Sequence, residues 1–427
     1  MEKITLAKLD SDLYYEKLDN GLQVLLLPNH KKKSYYMTYG VWFGSFDVEF
    51  TPKNEKKMIK VPDGIAHFLE HKMFEQEDGL DPFTFFSKSG SGANASTTFD
   101  GTQYLCYGNQ ELLPNLEFLL NYVNSPYFTD ENVEKEKGII TQEIKMYDDI
   151  PEWFLQKQLR FNLFHEYPIK YDIAGTVESI NKTTKEDLYR CYNTFYQPDN
   201  MFLIITGNMN VEEVIELVRE NQKNKTTSKG IIKTKKYKEQ DSVFKEKEEF
   251  YMNVKIPKVG YAFKINREKS SIKEDYLFDY YLTMLTTLLL GSTSSFREKI
   301  RDKKLTNDFY YEFDGALNYR TLMILSETID PDSFLKDLKE EFSNMSFDKA
   351  DFERIKKVWI ASEVQMIDDI TTSADNLYSD MLRYHKFIPD KVDKIRSMNF
   401  ETLKKMINEI DFSNTSEIII YPKKNDK

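Results

Sequence analysis

The most constraining feature of this chain is an internal repeat that divides its 427 residues into two nearly equal halves. The octapeptide EIKMYDDI at 143–150 matches EVQMIDDI at 363–370 in five of eight positions, with an offset of 220 residues. A histidine follows the first residue of each octapeptide by 22 positions, at His165 and His385. Such conserved spacing indicates a duplicated domain, and two domains of roughly 200 residues match the usual domain size.

Strand and helix signals recur in a similar order in the two halves. Aromatic and β-branched residues predict strands at 35–45 and 201–207. Apolar periodicity predicts helices at 63–75, 111–124, 130–148, 152–164 and 184–196. Lys, Gln, Thr and Ser dominate 223–246, which predicts a linker. We therefore expect an α+β protein with two tandem homologous domains, 1–222 and 247–427. Each domain is expected to be an antiparallel-dominated mixed sheet packed with helices.

Charge and cysteine content exclude several classes of protein. There are 59 Lys and Arg against 70 Asp and Glu, a net charge of −11, whereas nucleic-acid binding requires a basic face. The two cysteines, Cys106 and Cys191, are too few for a disulfide framework. The first residues, MEKITLAKLDSD, lack the apolar core of a signal peptide, and the apolar runs are too short to span a membrane. We expect a cytoplasmic protein with neither nucleic-acid nor membrane partners.

Three chemically active residues cluster within one predicted helix. His67 and His71 lie one turn apart, Glu70 falls on the same stripe, and Asp63 is the expected N-cap. The remaining circumference is largely apolar, with Ile65, Phe68, Leu69 and Met73. Two neutral imidazoles in this arrangement suit a tetrahedral Zn²⁺, and the order HxxEH is a zinc-peptidase signature. Glu70 would lie beside the metal and take a proton from water. The alternative is a pair of surface histidines without a metal.

A catalytic zinc needs a third protein ligand, and the helix at 130–148 offers one. Glu136 and Glu143 are seven residues apart and therefore share a face, which also carries Val133, Ile139, Ile140 and Tyr147. Carboxylates within an apolar stripe are costly unless they are paired, and a metal and a liganding histidine would pair both. The alternative is a helix with two glutamates on its apolar face.

The repeat assigns this chemistry to the first half alone. An offset of 220 places His67 and His71 within 287–291, which holds neither His nor Glu, and places Glu136 on Lys356. One zinc per chain is therefore expected.

These residues resemble the pitrilysin/insulinase family of zinc metallopeptidases. HFLEH at 67–71 and EKEKGIITQE at 134–143 carry the resemblance, and PDGIAHFLEHKMFEQEDG is most similar to the YmfH branch of bacterial members. The resemblance implies half of a clamshell-shaped chamber and assigns roles to five residues. They are the zinc ligands His67, His71 and Glu143, the catalytic base Glu70, and Glu136, which orients a ligand histidine.

The resemblance also implies substrate-binding residues. GANAST at 92–97 resembles the edge strand that pairs with an extended peptide, so Ala93, Asn94, Ala95 and Ser96 are expected to bind substrate. The family also uses an Arg and a Tyr from the domain that faces the zinc. Arg301 matches the Arg, but Asn307 stands where the Tyr is expected.

The expected function is zinc-dependent hydrolysis of extended oligopeptides or unfolded segments inside a dimeric chamber. One alternative is a peptide-binding or peptide-maturation subunit of a two-protein complex, and another is a metal-stabilised scaffold without turnover. Because Asn307 replaces the Tyr, the expected partner is a homologous subunit that supplies an Arg/Tyr pair. A homodimer is the second choice.

Overall fold

The computed structural model describes residues 1–6, 8–316 and 318–423. The strands are β1 (Glu2–Leu6), β2 (Ser11–Lys17), β3 (Gln23–Pro28), β4 (Tyr35–Val41), β5 (Glu49–Thr51), β6 (Ile59–Lys60), β7 (Gly92–Thr97), β8 (Thr102–Gly108), β9 (Met201–Gly207), β10 (Lys233–Thr234), β11 (Lys247–Met252), β12 (Lys258–Asn266), β13 (Phe309–Ala316), β14 (Tyr319–Glu327) and β15 (Thr415–Pro422). The helices are α1 (Ile65–Met73), α2 (Pro82–Lys88), α3 (Leu112–Tyr122), α4 (Asp130–Asp148), α5 (Pro151–Leu163), α6 (Val177–Lys182), α7 (Lys185–Phe195), α8 (Val211–Gln222), α9 (Asp275–Leu290), α10 (Ser295–Asp302), α11 (Pro331–Ser343), α12 (Lys349–Met366), α13 (Ile370–Tyr384), α14 (Lys391–Ser397) and α15 (Phe400–Glu409). The five helices predicted in the first half correspond to α1, α3, α4, α5 and α7, each within two residues at either end.

Two sheets that share a five-strand topology confirm the predicted α+β fold and its duplication. One sheet has the order β1-β2-β3-β9-β4-β8-β7 and the other β11-β15-β12-β14-β13. The last five strands of the first sheet match the five of the second in sequence order. In both, the first of these pairs is parallel and the other three are antiparallel. A small third sheet joins β10, β5 and β6.

The chain divides into two compact units, and each unit contains one helix from the other half of the sequence; we call these two helices the exchanged helices. Unit 1 comprises Met1–Ile144, Asp172–Lys236 and Ser362–Lys391, and unit 2 comprises Lys145–Tyr171, Tyr237–Ala361 and the chain from Val392. The division after Lys236 falls within the predicted linker, 223–246. Otherwise the units differ from the sequence halves, because α13 belongs to unit 1 and α5 to unit 2. These helices are repeat equivalents, since each follows its copy of the octapeptide.

Each exchanged helix covers the sheet of the unit to which it belongs. In unit 1, Ala374 and Met381 of α13 are buried against Phe202 and Ile204 of β9, and Trp42 Nε1 donates a hydrogen bond to the Met381 carbonyl at 2.9 Å. In unit 2, Leu155 and Leu159 of α5 press on Gly260 of β12. A methyl group at Gly260 would lie 2.6 Å from Leu159 Cδ1, so a larger residue would force this leucine side chain to shift.

The other face of the unit 1 sheet carries the helix that holds the HxxEH residues. Phe68 and Leu69 of α1 are fully buried in one apolar core with Met37 and Tyr39 of β4. Burial of this apolar side fixes the helix against the sheet and leaves the histidine side towards α4. Within the described residues no helix has the length and apolar character needed to cross a membrane.

Candidate metal centre

Helix α1 begins at a glycine that permits a sharp change of chain direction. Its N-cap is Gly64, with φ +85°, and Asp63 makes no cap, so the sequence-based N-cap was wrong. A Cβ atom at Gly64 would lie 2.3 Å from the carbonyl oxygen of Ala174. The left-handed conformation and this close approach both require glycine, and together they set the start of the helix.

The structure brings His67, His71 and Glu143 together. One ligand atom from each lies within 4.8 Å of the other two. Glu143 Oε2 is 3.9 Å from His67 Nε2 and 3.5 Å from His71 Nε2. Donors about 2.0–2.1 Å from a tetrahedral zinc ion are roughly 3.3 Å apart, so the three groups fit such an ion with small adjustments. Among the described residues no other group of three His, Cys, Asp or Glu meets this criterion.

Glu136 lies within hydrogen-bond distance of one imidazole. His71 Nδ1 lies 3.0 Å from Glu136 Oε1, and the Glu136 side chain is only 12% exposed. When Nδ1–H donates a hydrogen bond to this carboxylate, the neutral ring keeps a lone pair on Nε2, which lies towards Glu143. Burial lowers the pKa of His71, but the hydrogen bond and charge of Glu136, together with the charges of Glu70 and Glu143, outweigh it and raise this pKa above its ordinary value.

His67 is held in its neutral form by its surroundings. Burial, with a smaller contribution from His71, lowers the pKa of His67 to about 3. A neutral imidazole keeps the lone pair that a metal requires. Its Nδ1 has no hydrogen-bond partner among the described residues.

Glu70 lies beside this group and is bound to the edge of the sheet. Its side chain is buried, and Oε2 accepts a hydrogen bond from the Thr97 hydroxyl at 2.6 Å. Burial raises the pKa of Glu70, although the Thr97 hydrogen bond opposes that rise. A carboxylate with a raised pKa is a better proton acceptor near neutral pH.

The residues predicted to bind substrate lie on the terminal strand of the seven-stranded sheet. Ala93, Asn94, Ala95 and Ser96 belong to β7, which pairs only with β8 among the strands that the structure describes. Thr97 is the last residue of this strand and donates a hydrogen bond to Glu70, so the strand ends beside Glu70. Arg301 belongs to unit 2, where it lies on α10 with its side chain 74% exposed and 3.9 Å from Glu298.

Two residues of the site were missed in the sequence. Thr97 was included in the edge segment but not connected with Glu70. Lys72 is fully buried, and its ammonium lies 3.9 Å from Glu136 Oε2. A signal for Lys72 was present, because it lies three and four residues after Leu69 and Phe68 and therefore continues their buried stripe.

Comparison with known proteins decides the family. Over 343 residues the chain is 42% identical to YmfH, an uncharacterised zinc protease of Bacillus subtilis strain 168, and the alignment covers 79% of each protein. The chain belongs to peptidase family M16. The family model "Insulinase (Peptidase family M16)" matches residues 59–177, and "Peptidase M16 inactive domain" matches residues 182–358. The predicted family and its YmfH-like branch are confirmed, and the five clustered residues fall in the insulinase match.

Solved peptidase structures have the same fold. An M16-like peptidase from Alicyclobacillus acidocaldarius superposes with a TM-score of 0.91 at 29% identity, covering 98% of this chain and 100% of that one. The periplasmic protease PqqL of Escherichia coli gives a TM-score of 0.72 at 19% identity. That match covers 96% of this M16 chain but 47% of PqqL.

Proposed function

We propose that this M16 chain is a zinc-dependent endopeptidase that hydrolyses extended oligopeptides or unfolded peptide segments. The observation that supports this most strongly is the convergence of His67, His71 and Glu143 on one small volume. Glu70 lies beside that volume without being one of the three. A site built only to bind metal would not need this additional buried carboxylate.

The mechanism assigns a separate task to each residue. His67 Nε2, His71 Nε2 and a Glu143 oxygen would hold the metal, and a bound zinc ion lowers the pKa of water and polarises a carbonyl group. Glu70 takes a proton from the attacking water and passes it to the leaving amine. Thr97 donates a hydrogen bond to Oε2 of Glu70, so we assign the proton transfer to Oε1. Glu136 keeps the His71 ring in the tautomer that presents Nε2.

The edge strand β7 supports an extended substrate. A peptide that adds to a sheet edge is recognised mainly through its backbone, so its conformation matters more than its sequence. Thr97 at the end of β7 contacts Glu70, which supports a position for the scissile bond near this end of the strand. Folded proteins are poor substrates for such a site because they offer few free extended segments.

The purified chain is expected to contain about one zinc ion and to cleave peptides in a fluorescence-quenched library, because its ligand set suits a catalytic zinc. Chelation should abolish cleavage, and stoichiometric zinc should restore it. Metal content is measured by mass spectrometry on the same samples. A zinc-loaded protein, tested with and without its homologues, that binds peptides but never cleaves them would support the peptide-binding alternative.

We propose further that the chain works with a second, homologous chain. The match to PqqL supports this, because 96% of this chain covers only 47% of that protease, which leaves room in PqqL for a second unit of similar size. Asn307 stands where the resemblance leads us to expect a tyrosine, so a second copy would offer Arg301 without that partner. A homologue with an intact Arg/Tyr pair would complete the site better than a second copy.

Co-expression with such a homologue is expected to raise peptide hydrolysis at least tenfold, since a lost transition-state donor typically costs about 10²–10³ in rate. Steady-state kinetics on the copurified complex and on the single chain measure the difference. A single chain that runs as a homodimer with full activity, unchanged by Arg301→Ala, would contradict this pairing.

A further inference from the structure

Lys72 is an unusual residue for its position. It follows His71 directly, and none of its side chain is exposed to solvent. Lysine normally keeps its ammonium group in water, because burial of an unpaired charge is costly. A fully buried lysine within a helix therefore needs nearby carboxylates, and their identity shows what the lysine can do.

Two carboxylates accompany the Lys72 ammonium. One is Glu75, two residues beyond the end of α1, which pairs with Lys72 Nζ. The other is Glu136 of α4, whose Oε2 lies 3.9 Å from Nζ. The Glu75 side chain is 40% exposed, whereas that of Glu136 is 12% exposed. Water can solvate Glu75, but Glu136 depends more on its protein neighbours.

Each carboxylate oxygen of Glu136 faces a different side chain. Its Oε2 faces the Lys72 ammonium, and its Oε1 accepts the hydrogen bond from His71 Nδ1 at 3.0 Å. On the far side of the same ring, His71 Nε2 lies 3.5 Å from Glu143 Oε2. The groups thus form a continuous series from a buried cation, through a carboxylate and an imidazole, to the position between the three ligands. Interactions in this buried series are screened much less than those of surface ion pairs.

We propose that Lys72 is a positioning residue of the metal centre, whose ammonium holds Glu136 in place so that Glu136 can hold His71. This inference rests on the proposed zinc function. It predicts that the Lys72 charge acts on zinc affinity although Lys72 is not a ligand. Loss of a group that orients a liganding histidine typically weakens metal binding about 10–100-fold.

The test replaces Lys72 with methionine, which keeps an unbranched chain of similar length without the charge. In the full-length protein, Lys72→Met is expected to weaken zinc binding by about tenfold or more, measured by competition with a chromophoric chelator. The visible absorption spectrum of the Co²⁺-loaded protein is expected to change as well, because the His71 ring is less constrained. Lys72→Gln provides the same measurements should the Met variant not fold.

Controls separate this role from general effects of burial and charge. Lys356→Met removes another buried lysine, in unit 2, whose ammonium donates hydrogen bonds to the carbonyls of Arg396 and Met398. Glu75→Gln removes the other partner of Lys72 and leaves Glu136 unchanged. Both variants are expected to bind zinc as the wild-type protein does.

A double-mutant cycle identifies the path of the effect. If Lys72 acts through Glu136, Lys72→Met should change zinc affinity little in a Glu136→Gln background. An equal loss in both backgrounds would overturn the proposal, and so would a Lys72→Met protein with wild-type affinity and an unchanged Co²⁺ spectrum. A wild-type chain that binds no zinc would overturn the proposed function and this inference together, whereas the other two results overturn the inference alone.

Discussion

Glu70→Gln is expected to lower kcat/KM for peptide hydrolysis by about 10²–10⁴ and to leave about one zinc per chain, because the substitution removes a general base. Glutamine keeps the size of the side chain and an oxygen that can accept the Thr97 hydrogen bond. Its amide group is too weak a base near neutral pH to accept the proton of the attacking water. This variant should therefore lose turnover while it keeps its zinc.

The control for Glu70→Gln is Glu134→Gln, the same change on the surface of α4. Glu134 is 74% exposed and pairs with Lys137 at 3.0 Å, away from the three candidate ligands. It should keep wild-type kinetics. Wild-type turnover by purified Glu70→Gln would show that another group takes the proton, while loss of its zinc would show that Glu70 supports the metal.

Glu143→Ala should lose both the metal and the activity. The carboxylate is the only one of the three candidate ligands that comes from α4, and two imidazoles alone leave a zinc site incomplete. Zinc content after dialysis against a weak chelator should fall from about one per chain to near zero, and peptide hydrolysis should fall below detection.

The repeat provides a matched control for this variant. Glu363 is the equivalent of Glu143 at the offset of 220 residues, on helix α12. Because no second metal group occurs within the described part of the chain, Glu363→Ala should retain zinc and activity. Full zinc occupancy in Glu143→Ala would mean that the third ligand is a different residue.

Much of this site could be predicted because short-range spacing determines it. His67, Glu70 and His71 share one helix, and the spacing of Glu136 and Glu143 places both on one face of another. Helical periodicity alone defines these relations. The sequence reasoning brought the two helices together through the need for a third ligand, and the structure places Glu143 within reach of both histidines.

Features that depend on long-range packing were not predictable in this way. The N-cap was assigned to Asp63 because its side chain suits that position, but the approach of Ala174 from a distant segment requires Gly64 instead. Ile139 was placed on the apolar stripe of α4, yet the residue is 47% exposed. The helix exchange was also missed, because periodicity shows that a helix is amphipathic without showing which sheet it covers.

That exchange has a consequence for how the protein is made on the ribosome. Nascent chains generally fold domain by domain from the N-terminus as they emerge. Here Phe202 and Ile204 are covered by α13, which ends at Tyr384. This face of the first sheet therefore stays exposed to solvent until nearly the whole chain is synthesised. A chain stalled after residue 222 would present that apolar face to solvent. Such nascent chains should therefore be preferred clients of ribosome-associated chaperones.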